Sequence, residues 1–220
     1  MSVTNEDIIL SFDLDFTLII NKEGILNSFK YALNKHKIPE INDEILVKTI
    51  GVPLNQTFQE LVPDLEPSIL TTAFREYYGR EGIYQVNLIP GVREKLNELK
   101  NASYTLGVIT SKKQEMAIKL LKYLELDGLF DYIFGENDEI KSKLDPELKE
   151  LLLDSYPRCQ FVIIGDHPKD MKLSEMLDCP FIGVLTGNTT AEQLRRNENR
   201  RHLILNSVAE ITEDKINSLF

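Results

Sequence analysis

The stretch Ile8-Ile9-Leu10-Ser11-Phe12-Asp13-Leu14-Asp15-Phe16-Thr17 joins a short apolar run to two aspartates two positions apart. Ile8 to Phe12 reads as a buried strand, being rich in β-favouring residues and ending abruptly in polar ones. If the extended backbone persists, the carboxylates of Asp13 and Asp15 leave the chain on the same side. Acidic groups held that close repel one another unless a cation or a shared proton intervenes. The pair therefore suits a divalent metal or acid/base chemistry.

Similar apolar runs recur at Tyr104 to Ile109, Tyr132 to Phe134, Phe161 to Ile164, Phe181 to Leu185 and Leu203 to Leu205. Helical patterns separate most of them. Val92, Leu96 and Leu99 share one face, Met116, Leu120, Tyr123 and Leu124 another, and Leu148, Leu151 and Leu152 mark a helix after Pro146. Alternating strands and helices predict an α/β fold built on a doubly wound parallel sheet. The stretch between the first two strands is far longer than the roughly 30 residues a whole strand-helix-strand unit needs. Within it Ile25, Phe29, Ala32 and Leu33, then Ile45, Leu46 and Ile50, then Phe58, Leu61 and Val62, then Leu70, Ala73, Phe74 and Tyr77 recur at helical spacing. A helical insertion over 20–86 is expected, with the core domain formed by 1–19 and 87–220.

A chain of 220 residues with 42% apolar content fits one globular domain with such an insertion. With 25 basic against 35 acidic residues, the formal net charge of −10 disfavours nucleic acid as a partner. No apolar run reaches the roughly 18 residues that cross a bilayer, and Met1 to Asp7 lacks the basic and apolar regions of a signal peptide. The expectation is a cytoplasmic protein with no membrane partner, present as a monomer or homodimer. Cys159 and Cys179 stand without metal-type spacing, so neither a disulfide framework nor a zinc site is expected.

Two more strand ends and one intervening segment carry polar groups. Thr110, Ser111, Lys112 and Lys113 supply hydroxyls and cations where a helix is expected to start, a place that attracts anions but that a plain N-cap would also explain. Gly165, Asp166, His167, Pro168, Lys169 and Asp170 set a second acidic pair after another strand. Lys141, with Lys143 nearby, lies in the polar segment ahead of Pro146. Ligands of doubly wound sheets bind beyond the carboxyl ends of the strands, and three strands deliver polar side chains to that edge.

In this order the segments Asp13-Leu14-Asp15-Phe16-Thr17-Leu18, Ile109-Thr110-Ser111-Lys112, Lys141-Ser142-Lys143-Leu144-Asp145-Pro146 and Gly165-Asp166 with Asp170 resemble the haloacid dehalogenase superfamily. Pro90-Gly91-Val92, Gly51-Val52-Pro53-Leu54 and the Gly183 to Gly187 stretch resemble its phosphoglycolate phosphatase branch, which carries a helical cap. The resemblance implies that Asp13 is a nucleophile forming an aspartyl-phosphate and Asp15 the general acid/base. It implies that Thr110 binds the transferring phosphoryl group and that Lys141 neutralises charge and holds Asp13 ionised, with Lys143 as the alternative lysine. Thr17, Ser111 and Lys112 are placed as substrate-binding residues. Mg2+ is implied between Asp13, the backbone carbonyl of Asp15 and Asp166, with Asp170 supporting the metal or the lysine. Three positions depart from the pattern: Phe16 stands where glycine is commonest, and Ser142 and Leu144 stand where prolines are usual. His167 reads as an exposed loop imidazole.

The expected activity is hydrolysis of a small-molecule phosphate monoester, phosphoglycolate-like in size. A sugar phosphomutase, a pyrophosphatase or a nucleotidase would use the same residues. A catalytically silent phosphate-binding protein would keep the fold alone. A receiver-like signalling domain also combines aspartates, a hydroxyl and a lysine, but in a different order.

Overall fold

The computed structural model describes residues 4–195 and 201–220, so Met1 to Val3 of the segment read above for a leader lie outside the described residues. The chain divides into two compact units, Met1–Ile20 with Leu88–Phe220, and Asn21–Asn87. In chain order the elements are β1 (Ile8–Phe12), β2 (Ile19–Ile20), α1 (Lys22–Lys35), α2 (Asp43–Lys48), α3 (Leu54–Leu61), α4 (Pro67–Arg80) and β3 (Asn87–Leu88). They continue with α5 (Val92–Asn101), β4 (Thr105–Lys113), α6 (Gln114–Tyr123), β5 (Tyr132–Glu136), α7 (Pro146–Ser155), β6 (Gln160–Gly165), α8 (Pro168–Met176), β7 (Phe181–Val184), β8 (His202–Leu205) and α9 (Glu213–Asn217).

The larger unit is the doubly wound parallel α/β fold. Its six-stranded sheet runs β5-β4-β1-β6-β7-β8, and every pairing is parallel. All five residues of β1 are buried, as a central strand covered on both faces requires. Phe12 pairs with Val108 of β4 on one side and Ile164 of β6 on the other, so Asp13, Thr110 and Asp166 follow at one sheet edge. A cluster of Ile9, Ile109, Leu148, Phe161, Leu173 and Phe181 fills one part of the core.

The smaller unit is helical. Phe29 of α1 meets Phe58 of α3 and Phe74 of α4 edge-on, with ring centroids 5.3 Å and 4.9 Å away. Asn42 caps α2 by accepting from the Glu44 amide at 2.7 Å, and Pro67 opens α4 at its first position.

Several local readings differ. β4 extends beyond its apolar run, which stops at Ile109, through the polar residues to Lys113, with a register irregularity between Ile109 and Lys113. Thr110 and Ser111 are thus strand residues, and α6 starts without a side-chain cap. Tyr123, Leu151 and Ile45 face outward; α6 buries Ala117, Leu120 and Leu121, and α7 buries Leu148 and Leu152. Among the described residues, no helix is long and apolar enough to cross a membrane.

Candidate active site

The sheet edge where β4, β1 and β6 end gathers the charged residues. Asp13 follows β1 directly, and its amide donates to the Ile164 carbonyl at 2.8 Å, extending the pairing by one residue. Asp166 follows β6, and Asp170 sits in the first turn of α8. One oxygen from each of Asp13, Asp166 and Asp170 can be chosen so that all three lie within 4.8 Å of one another. All three side chains are buried, so their charges must be compensated inside the protein.

The compensating cation is Lys143. Its Nζ donates to Asp13 Oδ1 and, at 2.6 Å, to Asp170 Oδ1, and the residue is only 5% exposed. Lys141, the lysine expected here, is corrected by this geometry: it is exposed, and its Nζ donates to the carbonyls of Asn137 and Asp138. The reason is local. The Lys141 amide donates to Asp145 Oδ2 at 2.9 Å, and Asp145 also caps α7, accepting from the Glu147 amide at 3.2 Å. That turn holds Lys141 outside and leaves Lys143 to point inward.

Asp170 serves two partners. Its Oδ1 takes Lys143, while its Oδ2 accepts the His167 amide at 3.1 Å; His167 Nδ1 in turn accepts from the Lys169 amide at 3.2 Å. His167 is therefore a half-buried helix cap rather than an exposed loop imidazole, and burial holds it below the ordinary histidine range. Gly165 is dictated by the same contact, since a β-carbon there would stand 2.3 Å from the Asp170 carboxyl carbon.

The other expected residues divide. Thr17 is fully buried and donates to Asp166 Oδ1 at 3.2 Å, which places it behind a metal-type carboxylate. Thr110 is buried and its hydroxyl accepts the Lys112 amide at 3.2 Å; Ser111 is exposed. Lys112 Nζ pairs with Asp15 Oδ2 at 3.1 Å, and the Asp15 carboxylate stands outside the three-carboxylate group. Two further residues, from the Gly183 to Gly187 stretch, close on the site. Thr186 Oγ1 donates to the Phe16 carbonyl, and a β-carbon at Gly187 would lie 1.8 Å from Asp166 Oδ2.

Three carboxylates facing one ammonium leave two negative charges in excess. Burial pushes Asp13 up to about 7; Lys143 opposes this, while Asp170 and Asp15 add to it. Burial pushes Asp166 up to about 8, reinforced by Asp13 and Asp170. Burial works against a charged Lys143, but Asp13 and Asp170 outweigh it and hold the ammonium above the ordinary lysine range. An all-oxygen donor set with an excess of two negative charges fits a hard divalent cation. Both Asp170 oxygens are engaged as described, which leaves Asp13 and Asp166 as the carboxylates best placed to hold such an ion.

A consequence can be measured. Carboxyls raised in the folded state contribute stability that is fully present below the unfolded value near 4 and is lost as pH rises through about 7 and about 8. In chelator, Tm should therefore fall between pH 5 and pH 8. A divalent cation binds the ionised form, so its addition should raise Tm more at pH 8 than at pH 5.5, by about 2–4 °C for each kcal/mol gained. Equal increments at both pH values would count against a metal held by these carboxylates.

Residues 9–184 match the haloacid dehalogenase-like hydrolase family over most of the chain. The chain belongs to that family. A Dickeya dadantii (strain 3937) protein named "Probable phosphatase IndB" is 32% identical over 195 residues, 85% of each chain. The pyrophosphatase PpaX of Bacillus cereus (strain Q1) is 31% identical over 163 residues, 73% of this chain and 74% of that one. Among solved structures, a haloacid dehalogenase-like hydrolase, SP0104 from Streptococcus pneumoniae, superposes with a TM-score of 0.83 at 28% identity, covering 94% of this chain and 97% of that one. This haloacid dehalogenase-like hydrolase is a phosphatase. Members of the family generally use a divalent metal, and the buried aspartates here offer one a site.

Proposed function

We propose that the chain hydrolyses a small phosphate monoester with Mg2+, through an aspartyl-phosphate on Asp13. The observation that carries this reading is Lys143, buried and shared between Asp13 and Asp170 beside Asp166. A lysine in that place works against burial and favours the ionised Asp13 carboxylate that a nucleophile must be. In the first step an Asp13 oxygen attacks phosphorus, the ester bond breaks, and the departing alkoxide takes its proton from Asp15. In the second, Asp15 takes a proton from water as the water oxygen attacks phosphorus, and orthophosphate leaves with Asp13 regenerated. Magnesium held by Asp13, Asp166 and the Asp15 carbonyl would supply positive charge at the transferring phosphoryl oxygens. Thr110, placed at the same edge, would donate a hydrogen bond to those oxygens, and Lys143 would neutralise charge as it builds. Thr17 and Asp170 orient Asp166 and Lys143 and stay behind them.

A second reading, pyrophosphate as substrate, is favoured by the pyrophosphatase relative. Its leaving group is itself an anion, and Lys112 stands beside Asp15 to meet it. The test is phosphate release from p-nitrophenyl phosphate, phosphoglycolate and pyrophosphate, with magnesium and after chelation. Magnesium-dependent turnover of the monoesters is expected. Turnover of pyrophosphate alone selects the second reading, and no release from any of the three rejects both.

A further inference from the structure

Five non-glycine residues among those described have positive φ: Phe16 at 59°, Lys37 at 57°, Ser103 at 69°, Glu125 at 53° and Asp178 at 51°. Four of them stand two residues beyond the last residue of α1, α5, α6 and α8 respectively. Left-handed backbone is the ordinary way to close a helix there. The closing bonds are present: Ile38 to Leu33 at 2.9 Å, Tyr104 to Leu99 at 3.2 Å, Leu126 to Leu121 at 2.9 Å and Cys179 to Ser174 at 2.9 Å, amide to carbonyl. Phe16 has no such excuse. It follows Asp15 in a tight turn where no helix ends, and a β-carbon makes that conformation unfavourable.

The turn is pinned from two directions. The Phe16 amide donates to the Ile19 carbonyl at 2.8 Å, within the turn itself. The Phe16 carbonyl accepts the hydroxyl of Thr186, which comes from the segment after β7. That segment is anchored by the Leu185 amide on the Leu205 carbonyl at 3.0 Å, and its next residue, Gly187, packs against Asp166. The same short segment therefore fixes both the strained turn and the neighbour of the metal-type carboxylate.

We propose that Thr186 is a positioning residue for phosphoryl transfer: its hydroxyl holds the left-handed turn at Phe16 and so aims the Asp15 carboxylate. This rests on the reading of Asp15 as the proton donor and acceptor. Thr186→Val keeps the shape and removes the donor. It should lower kcat by about 5–10-fold, the scale of one lost neutral hydrogen bond, with KM nearly unchanged. Thr186→Ser should restore kcat. In Phe16→Gly, where the turn is free of strain, adding Thr186→Val should change kcat by less than about twofold, because coupled sites are not additive. A wild-type kcat in Thr186→Val, or the same loss in both backgrounds, would overturn the proposal. If the wild type hydrolyses no phosphate, the reaction assignment falls instead. The pin is then judged from urea midpoints of the two single variants and the double: non-additive changes uphold it, additive ones overturn it.

Discussion

Lys143→Ala should lower kcat/KM by about 10²–10³-fold, the range for losing one charged group aimed at a transition state, while Lys141→Ala should stay near wild type. The two lysines are two positions apart and chemically identical, so the contrast isolates geometry. Lys143 is buried between Asp13 and Asp170, whereas Lys141 is exposed on main-chain carbonyls. Stability should follow the same split. Removing one partner from a buried ion pair costs about 3–5 kcal/mol, because the partner charge is left uncompensated. Surface substitutions usually stay within about 0.5 kcal/mol. The Lys143 variant should therefore melt well below wild type in chelator and regain part of the loss with magnesium or at pH 5.5, both of which relieve the uncompensated carboxylates. Thermal melts and initial rates on both variants decide the matter. Loss of activity in Lys141→Ala with Lys143→Ala intact would reverse the assignment.

Asp13→Asn should abolish turnover, by at least about 10⁴-fold, since the loss of a nucleophile removes the covalent route altogether. Its effect on folding should have the opposite sign. The substitution removes a buried carboxylate whose charge hinders ionisation of Asp166 and whose own ionisation Asp170 and Asp15 hinder, and keeps Lys143 paired to Asp170 at 2.6 Å. In chelator above pH 7 its Tm should equal or exceed that of the wild type. Functional sites store such conflicts routinely, and relieving them trades activity for stability. Retained turnover in Asp13→Asn would move the nucleophile elsewhere; a large fall in Tm would mean the cluster is not repulsive.

The fold was legible because parallel strands buried on both faces appear as near-continuous apolar runs, and Ile8 to Phe12, interrupted by Ser11 alone, is such a run. Asp13, Asp166 and Asp170 were legible for the same reason, since each stands at or just beyond the point where such a run stops. The boundary between β4 and α6 was legible because the polar residues Thr110 to Lys113 end the strand and the helical spacing begins just after them. The choice between lysines depended on how Asp145 divides its carboxylate between the Lys141 amide and the start of α7, a detail of one turn. His167 was read as loop because a histidine cap is chemically uncommon beside Ser, Thr, Asp and Asn. Thr186 lies in the Gly183 to Gly187 stretch, but nothing in the sequence ties its hydroxyl to a carbonyl 170 residues earlier.

The strand order β4-β1-β6 has a further consequence for biosynthesis. Asp13 emerges from the ribosome well before its partners: its lysine lies 130 residues later, and the hydroxyl-bonded Asp166 comes 149 residues after Thr17. A nascent chain thus carries β1 without its β6 partner on one flank until about 150 further residues have been made. Long-range parallel pairing of this kind is slow and exposed to aggregation. Competence for chemistry and completion of the central sheet should arrive together, as one late event.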